Sequence, residues 1–136
     1  MYLTRLLYCS ERNPDLDLDI EQLLYSARDY NGRSNITGAL WFDGTYFVQV
    51  LEGGRQAVSE TYHRIAMDKR HYKIELVSCE MVDARLFHQW RMAYFADTVD
   101  NRSLILKYSG QDKLDPSAMS GASLLRVLAE GNLLGD

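Results

Sequence analysis

Three polar side chains, Tyr8, Gln49 and Asn31, stand in this sequence where a polar group is costly unless it is partnered. Tyr8 sits in a short β-rich run, LTRLLYC (3–9), and a buried phenol needs a hydrogen-bond partner. Gln49 falls between Val48 and Val50, with Phe47 and Leu51 on its own strand face. A buried glutamine brings two donors and a two-lone-pair acceptor, which cost free energy when left unpaired. Asn31 ends a helix, from which its amide can point along a sheet. Each alone has an ordinary reading: a tyrosine on a sheet, a glutamine at a strand edge, an asparagine as a helix stop. Converging on one cleft, the three would read the carbonyl and N–H groups of a flat heteroaromatic ligand.

A second group follows at the end of the second helix. Arg64 and Arg70 can meet a polar ring edge or a phosphate, and Asp68 can hold hydroxyls. The alternative is a solvated helix end in which Arg64 and Asp68 pair at i, i+4. The three histidines, His63, His71 and His88, lack metal-ligand spacing and are assigned structural roles. No GxSxG, GxGxxG or Walker loop is present. Gly53-Gly54 before a helix reads as a strand-to-helix turn rather than an anion cradle. Cys9 and Cys79 are far apart without CxxC spacing, which gives two buried thiols rather than a disulfide or ligand pair.

The elements that must position these groups are legible from periodicity. A strand over 3–9 precedes a helix whose N-cap is Asp19, with Gln22 three residues on and Leu18 and Leu23 as a hydrophobic staple. Ile20, Leu23, Leu24 and Ala27 form its apolar face, and Asn31-Gly32 is expected to stop it. Strands 36–42 and 45–51 flank Asp43-Gly44, a strong hairpin signal. Ala57, Val58, Thr61, Tyr62 and Ile65 mark a second helix, followed by strands over 74–81 and 90–95. The order β-α-β-β-α-β-β predicts an α+β, ferredoxin-like fold: a five-stranded mixed sheet with both helices on one face. The first and third strands are then central neighbours. Tyr8, Gln49 and Asn31 meet in a cleft walled by Ile20, Leu23, Leu24 and Ile65. Residues 97–136 are expected to cover the other face with a short helix over 103–108 and a longer one opened by Asp115-Pro116.

At 136 residues, with 46% apolar and 25% charged side chains, the chain fits one globular domain of 1–96 with a helical extension of 97–136. A net charge of −4 argues against a nucleic-acid coat. The apolar runs are too short to cross a bilayer and no signal peptide is evident, so a cytoplasmic protein without membrane contact is expected.

The motifs RLLYCS (5–10), NITGAL (35–40), FVQVLEGG (47–54), TYHRIAMDKRH (61–71) and RLFHQWRM (85–92), with the helix ending at Asn31, resemble the BLUF domains, sensors of blue light using flavin. The likeness covers residues 3–96 and shares the ferredoxin-like fold. It implies a non-covalent flavin, FAD or else FMN or riboflavin, between the two helices. It casts Tyr8 as electron and proton donor, Gln49 as the amide that rearranges, and Asn31 as a holder of the ring's polar edge. Arg64, Asp68, Arg70 and His71 match the stretch that helps bind the ring edge, ribityl chain and phosphate. Trp90 and Met92 match the pair on the fifth strand that responds to Gln49. Tyr30 stands where relatives carry Asn or His, and could stack near the ring. The resemblance implies a non-enzymatic photoreceptor signalling through its fifth strand and tail to a downstream protein, and a homo-oligomer. Two other readings share the fold: a light-independent module binding a small-molecule regulator, and a small hydrolase of acylphosphatase type, for which the phosphate loop is missing.

Overall fold

The computed structural model describes residues 2–111 and 113–135. The first helix, α1 (Ile20–Ser34), begins where Asp19 Oδ1 accepts the backbone N–H groups of Glu21 and Gln22 at 3.1 and 3.3 Å. It does not stop at Asn31-Gly32. It runs to Ser34, and Asn35 takes the left-handed cap with φ 55°. An asparagine within a helix costs only tenths of a kcal/mol, by the roughly 0.7 kcal/mol span of ordinary helix propensities. A tertiary bond of the Asn31 side chain offsets that cost.

Strand β1 (Leu3–Arg12) lies inside the sheet, antiparallel to β3 (Tyr46–Gly54) and β4 (His71–Val82). β2 (Thr37–Phe42) pairs antiparallel with β3 and parallel with β5 (Ala93–Phe95). In the β2–β3 hairpin Phe42 faces Phe47, so the two tip residues are Gly44-Thr45 rather than Asp43-Gly44. Asp43 Oδ1 accepts the N–H groups of Thr45 and Tyr46 at 2.8 Å, and Gly44 supplies a φ of 98°. The glycine pair at 53–54 leaves β3 intact to its last residue, after which α2 (Arg55–Ala66) starts at once. α2 ends before the charged cluster, and His71 already belongs to β4.

The sheet order is β4-β1-β3-β2-β5-β6. The fold is α+β and ferredoxin-like, with six strands instead of five. The added strand, β6 (Leu133–Leu134), is two residues long and pairs with β5. The fifth strand is shorter than 90–95, since Trp90 lies outside any strand and Arg91 and Met92 form bends ahead of it.

Period-two alternation splits the core. Leu6, Tyr8, Leu40, Phe47 and Leu51 face Leu24 of α1 and Val58 of α2. Leu7, Cys9, Trp41, Val48 and Val50 face the opposite way, against Ile105, Leu124, Val127 and Leu128. Those four come from α3 (Val99–Ser109) and α4 (Gly121–Glu130). α3 is capped by Thr98, a turn earlier than periodicity suggested. Asp115-Pro116 opens only a 3-10 turn (Pro116–Ala118), and α4 starts later, capped by the Ser120 hydroxyl. Cys9 is buried, but Cys79 lies exposed on the edge strand β4.

Candidate functional site

β1 and β3 place Tyr8 directly opposite Gln49 in the sheet register. Both are almost fully buried, and the Tyr8 hydroxyl donates to Gln49 Oε1. Gln49 Nε2 points the other way, 3.5 Å from Met92 Sδ. This amide orientation is the one the partners demand, because a phenol proton needs an acceptor and a thioether can only accept. Burial pushes the Tyr8 phenol far above its ordinary value, and the nearby Tyr62 and Asp68 add to the effect. Tyr8 is therefore held as the neutral phenol, with its proton available to donate. Tyr62 and His71 rings flank it at centroid distances of 5.7 and 6.3 Å.

Above this pair lies a cleft between α1, α2 and the sheet that encloses about 110 Å³. All nine side chains expected to bind a cofactor line it: Tyr8, Leu23, Asn31, Gln49, Arg64, Ile65, Asp68, Arg70 and His71. Ser26 and Ala27 of α1, Leu40 of β2 and Phe47 of β3 complete the wall. Ser26 and Ala27 follow Leu23 at i+3 and i+4, and Phe47 precedes Gln49 at i−2, so spacing alone could have found them. Ile20 and Leu24, expected in the wall, pack instead into the core beneath.

The mouth is polar. Asp68 and Arg70 form an ion pair with Nη2–Oδ2 at 2.6 Å, and Asp68 Oδ1 also accepts the Arg70 backbone N–H at 2.9 Å. The hydrogen bonds from Arg70 hold the Asp68 carboxyl below the ordinary carboxylate range. The i, i+4 pairing of Arg64 with Asp68 is thereby replaced. Arg64 instead lays its guanidinium over the Tyr30 ring, 3.7 Å from the centroid, which ties α2 to α1. His71 Nε2 lies 2.6 Å from the Ile65 carbonyl and must donate to it, leaving Nδ1 toward the Ser10 hydroxyl at 2.8 Å. Among the described residues no cluster of side chains is arranged for a metal ion.

The segment before β5 sets Trp90 and Met92 on different faces. Met92 is fully buried on the Tyr8 face, but Trp90 packs into the core of the other face. Asn31 Nδ2 donates to the Arg91 carbonyl at 2.8 Å, so this amide also holds that segment in place. Glu52, buried and opposite Arg5, accepts from Arg5 Nε at 2.8 Å and from the N–H groups of Leu86 and Phe87 at 3.0 and 2.8 Å. It anchors the β4–β5 connection, a role that the sequence reading missed.

The chemistry of the lining suits a flavin: apolar side chains on the walls, amide and phenol groups at the floor, and cationic groups at the mouth. The profile of the BLUF family, sensors of blue light using FAD, matches residues 3–93. The blue light- and temperature-regulated antirepressor BluF of Escherichia coli (strain K12) is 35% identical over 106 residues. That match covers 77% of this chain and 26% of that protein, so the chain spans about a quarter of this relative's length. The structure of BlsA in its photo-activated state superposes with a TM-score of 0.88 at 27% identity, covering 98% of this chain and 99% of that one. The dark-state structure of BlrB, a BLUF protein, gives 0.78 at 32% identity, covering 95% and 96%. The chain belongs to the BLUF family of flavin-binding blue-light photoreceptors.

Proposed function

We propose that Tyr8 is the electron and proton donor of the light reaction and that Gln49 is the amide whose rearrangement stores the signal. The observation that carries this reading is the buried Tyr8–Gln49 hydrogen bond at the floor of the cleft. FAD, or FMN or riboflavin in its place, would be held by Leu23, Ile65, Asn31 and Arg70 and would supply blue-light absorption and an electron acceptor beside Tyr8. A phenol loses an electron readily only when its proton has somewhere to go, and Gln49 Oε1 is the acceptor in place. A turn of the amide, or its tautomer, exchanges donor for acceptor with little motion, and a packed core reads the two arrangements as discrete states. Return of the electron and proton restores Tyr8.

Leu23 and Ile65 hold the ring system by apolar contact. Asn31 has a second amide hydrogen and a carbonyl with which to meet the ring's polar edge. Asp68, Arg70, Arg64 and His71 serve the ribityl and phosphate end. Tyr30, stacked beneath Arg64, acts on the ligand through that arginine rather than by direct contact.

Residues 1–96 form the flavin-binding unit, and 97–136 the extension that carries the signal to a protein partner, without an enzymatic step in this chain. Exposed Val99 and Leu106 on α3 support self-association. The sensor is taken to act in the cytoplasm; among the described residues no helix is long and apolar enough to cross a membrane. The Tyr8–Gln49 pair favours this reading over a light-independent regulatory module, which has no need of a phenol donor.

The test is Tyr8→Phe, which keeps the ring and removes the hydroxyl. The purified variant retains flavin but loses the reversible red shift that blue light gives the parent protein. A full shift in the variant would remove Tyr8 from the role of donor.

A further inference from the structure

α1 holds the Trp90–Met92 segment by its main-chain carbonyls. Asn31 takes Arg91 O, and Arg28 Nε donates to Met92 O at 2.9 Å. The same guanidinium reaches further, with Nη2 donating to Leu134 O in β6 at 3.4 Å. One side chain thus links the bend ahead of β5 to β6, which is itself paired to β5 through Tyr94–Leu134 and Phe95–Leu133. Beside it, Gly135 lies against Trp90 so closely that a Cβ there would fall 2.0 Å from the indole Nε1. β6 itself is two residues long, and Leu134 is 59% exposed. A strand with so little buried surface belongs to the low-stability end of the fold and opens at small cost.

We propose that Arg28 is a positioning residue that makes the docking of β6 depend on the contact between Gln49 and Met92. This rests on the reading of Gln49 as the light-responsive amide. In the present arrangement Gln49 Nε2 faces Met92 Sδ as a donor. Turning the amide sets Oε1 against the thioether, so two acceptors meet and the Met92 side chain must shift. Its carbonyl moves with it, because Met92 lies in bends rather than within the strand ladder. A planar guanidinium holds two carbonyls only at a fixed spacing. When that spacing changes, the longer bond to Leu134 gives way first, since a 3.4 Å contact is weaker than one of 2.9 Å. β6 then loosens from β5 in the light and docks again in darkness.

The test is hydrogen exchange at the Leu133 and Leu134 amides of the flavin-loaded protein, in darkness and under blue light, with the absorption shift recorded on the same samples. In the parent protein exchange there rises about threefold or more in light, the response of a locally opening strand. Arg28→Lys keeps the charge but not the fork, so both amides exchange fast in either state while the red shift persists. Gly135→Ala, which crowds Trp90, disturbs the docking of β6 from the other side and has the same effect. For two changes acting on one docking equilibrium, the double variant alters the dark-recovery rate no more than the larger single change does. A normal red shift with equal β6 exchange in light and dark overturns the proposal, as does a light–dark difference that survives Arg28→Lys. Strictly additive effects of the two substitutions overturn it as well. Absence of any red shift in the parent protein overturns the underlying reading of Gln49 instead, so the two failures are distinct.

Discussion

Trp90 and Met92 stand on opposite faces of the sheet although only Arg91 separates them. Two residues apart in a regular strand would share a face. The bends at Arg91 and Met92 break that rule, sending the indole toward α3 and α4 and the thioether toward Gln49. The Trp90 carbonyl is fixed by Gly38 N–H at 3.2 Å, and the next two carbonyls by Asn31 and Arg28, so the arrangement is held on three sides.

Met92→Ala removes the sulfur acceptor from Gln49 and leaves a gap beside the amide. A net hydrogen-bond contribution of about 1 kcal/mol corresponds to roughly a fivefold change in dark-recovery rate. Trp90→Phe, acting on the far face, changes that rate by less than about twofold on the same scale. Flash-induced absorption recovery measures both. A larger effect from Trp90→Phe than from Met92→Ala would put the indole, not the thioether, in contact with the switch.

Glu52→Gln tests the anchor of the β4–β5 connection. It removes the buried carboxylate from the Arg5 guanidinium, whose side chain is only 11% exposed, and leaves it the exposed Glu80 at 4.0 Å. Removing one member of such a pair costs about 3 kcal/mol, lowering the melting temperature by roughly 10 °C. Calorimetry reads the loss, and an unchanged melting temperature would show that the pair contributes nothing net to stability.

The two thiols differ in reactivity. Burial, with the Glu75 carboxylate beside it, pushes the Cys9 thiol up to about 11. Cys9 thus stays protonated and inert near neutral pH, and Cys79 is exposed. Maleimide labelling of the native protein modifies Cys79 alone, and denaturant adds the second label at Cys9. Peptide mapping that finds Cys9 labelled first would contradict this. Nor does Cys9, on the sheet face away from the cleft, form an adduct with the flavin under light.

Acid weakens the mouth of the cleft in a defined window. Arg70 holds the Asp68 carboxyl below its ordinary 3.8. A lowered folded value stabilises the native state above the unfolded value, and the gain is lost as pH falls through the folded one. Flavin retention, followed by the fluorescence of released flavin, is therefore insensitive to this pair from about pH 8 to 5 and falls below about pH 4. Asp68→Asn weakens retention at neutral pH and flattens the part of the acid response that this pair carries. A variant with the parent's full profile would show that the ion pair does not support the ligand. The pair is partly exposed, so its effect also shrinks with added salt.

Local patterning determined much of this protein. Alternation in β1 and β3 put Tyr8 and Gln49 on one face, and the Asp19 cap and the 3.6-residue period aimed α1 at that face. These signals depend on neighbours in the chain, so they can be read without the fold. Where the local signal was ambiguous, tertiary contacts decided. Asn31 continues its helix because its side chain bonds Arg91 O rather than capping its own turn. Asp68 chooses Arg70 over Arg64, because the turn after α2 brings two donors of Arg70 onto one carboxylate while Tyr30 offers Arg64 a ring. Trp90 leaves the strand assigned to it because Glu52 and α1 hold the preceding connection in another path. β6 could not be foreseen from Leu133-Leu134, since two residues carry no periodicity. Its existence depends on an edge of β5 and an arginine more than a hundred positions away in sequence, a relationship that only the folded chain creates.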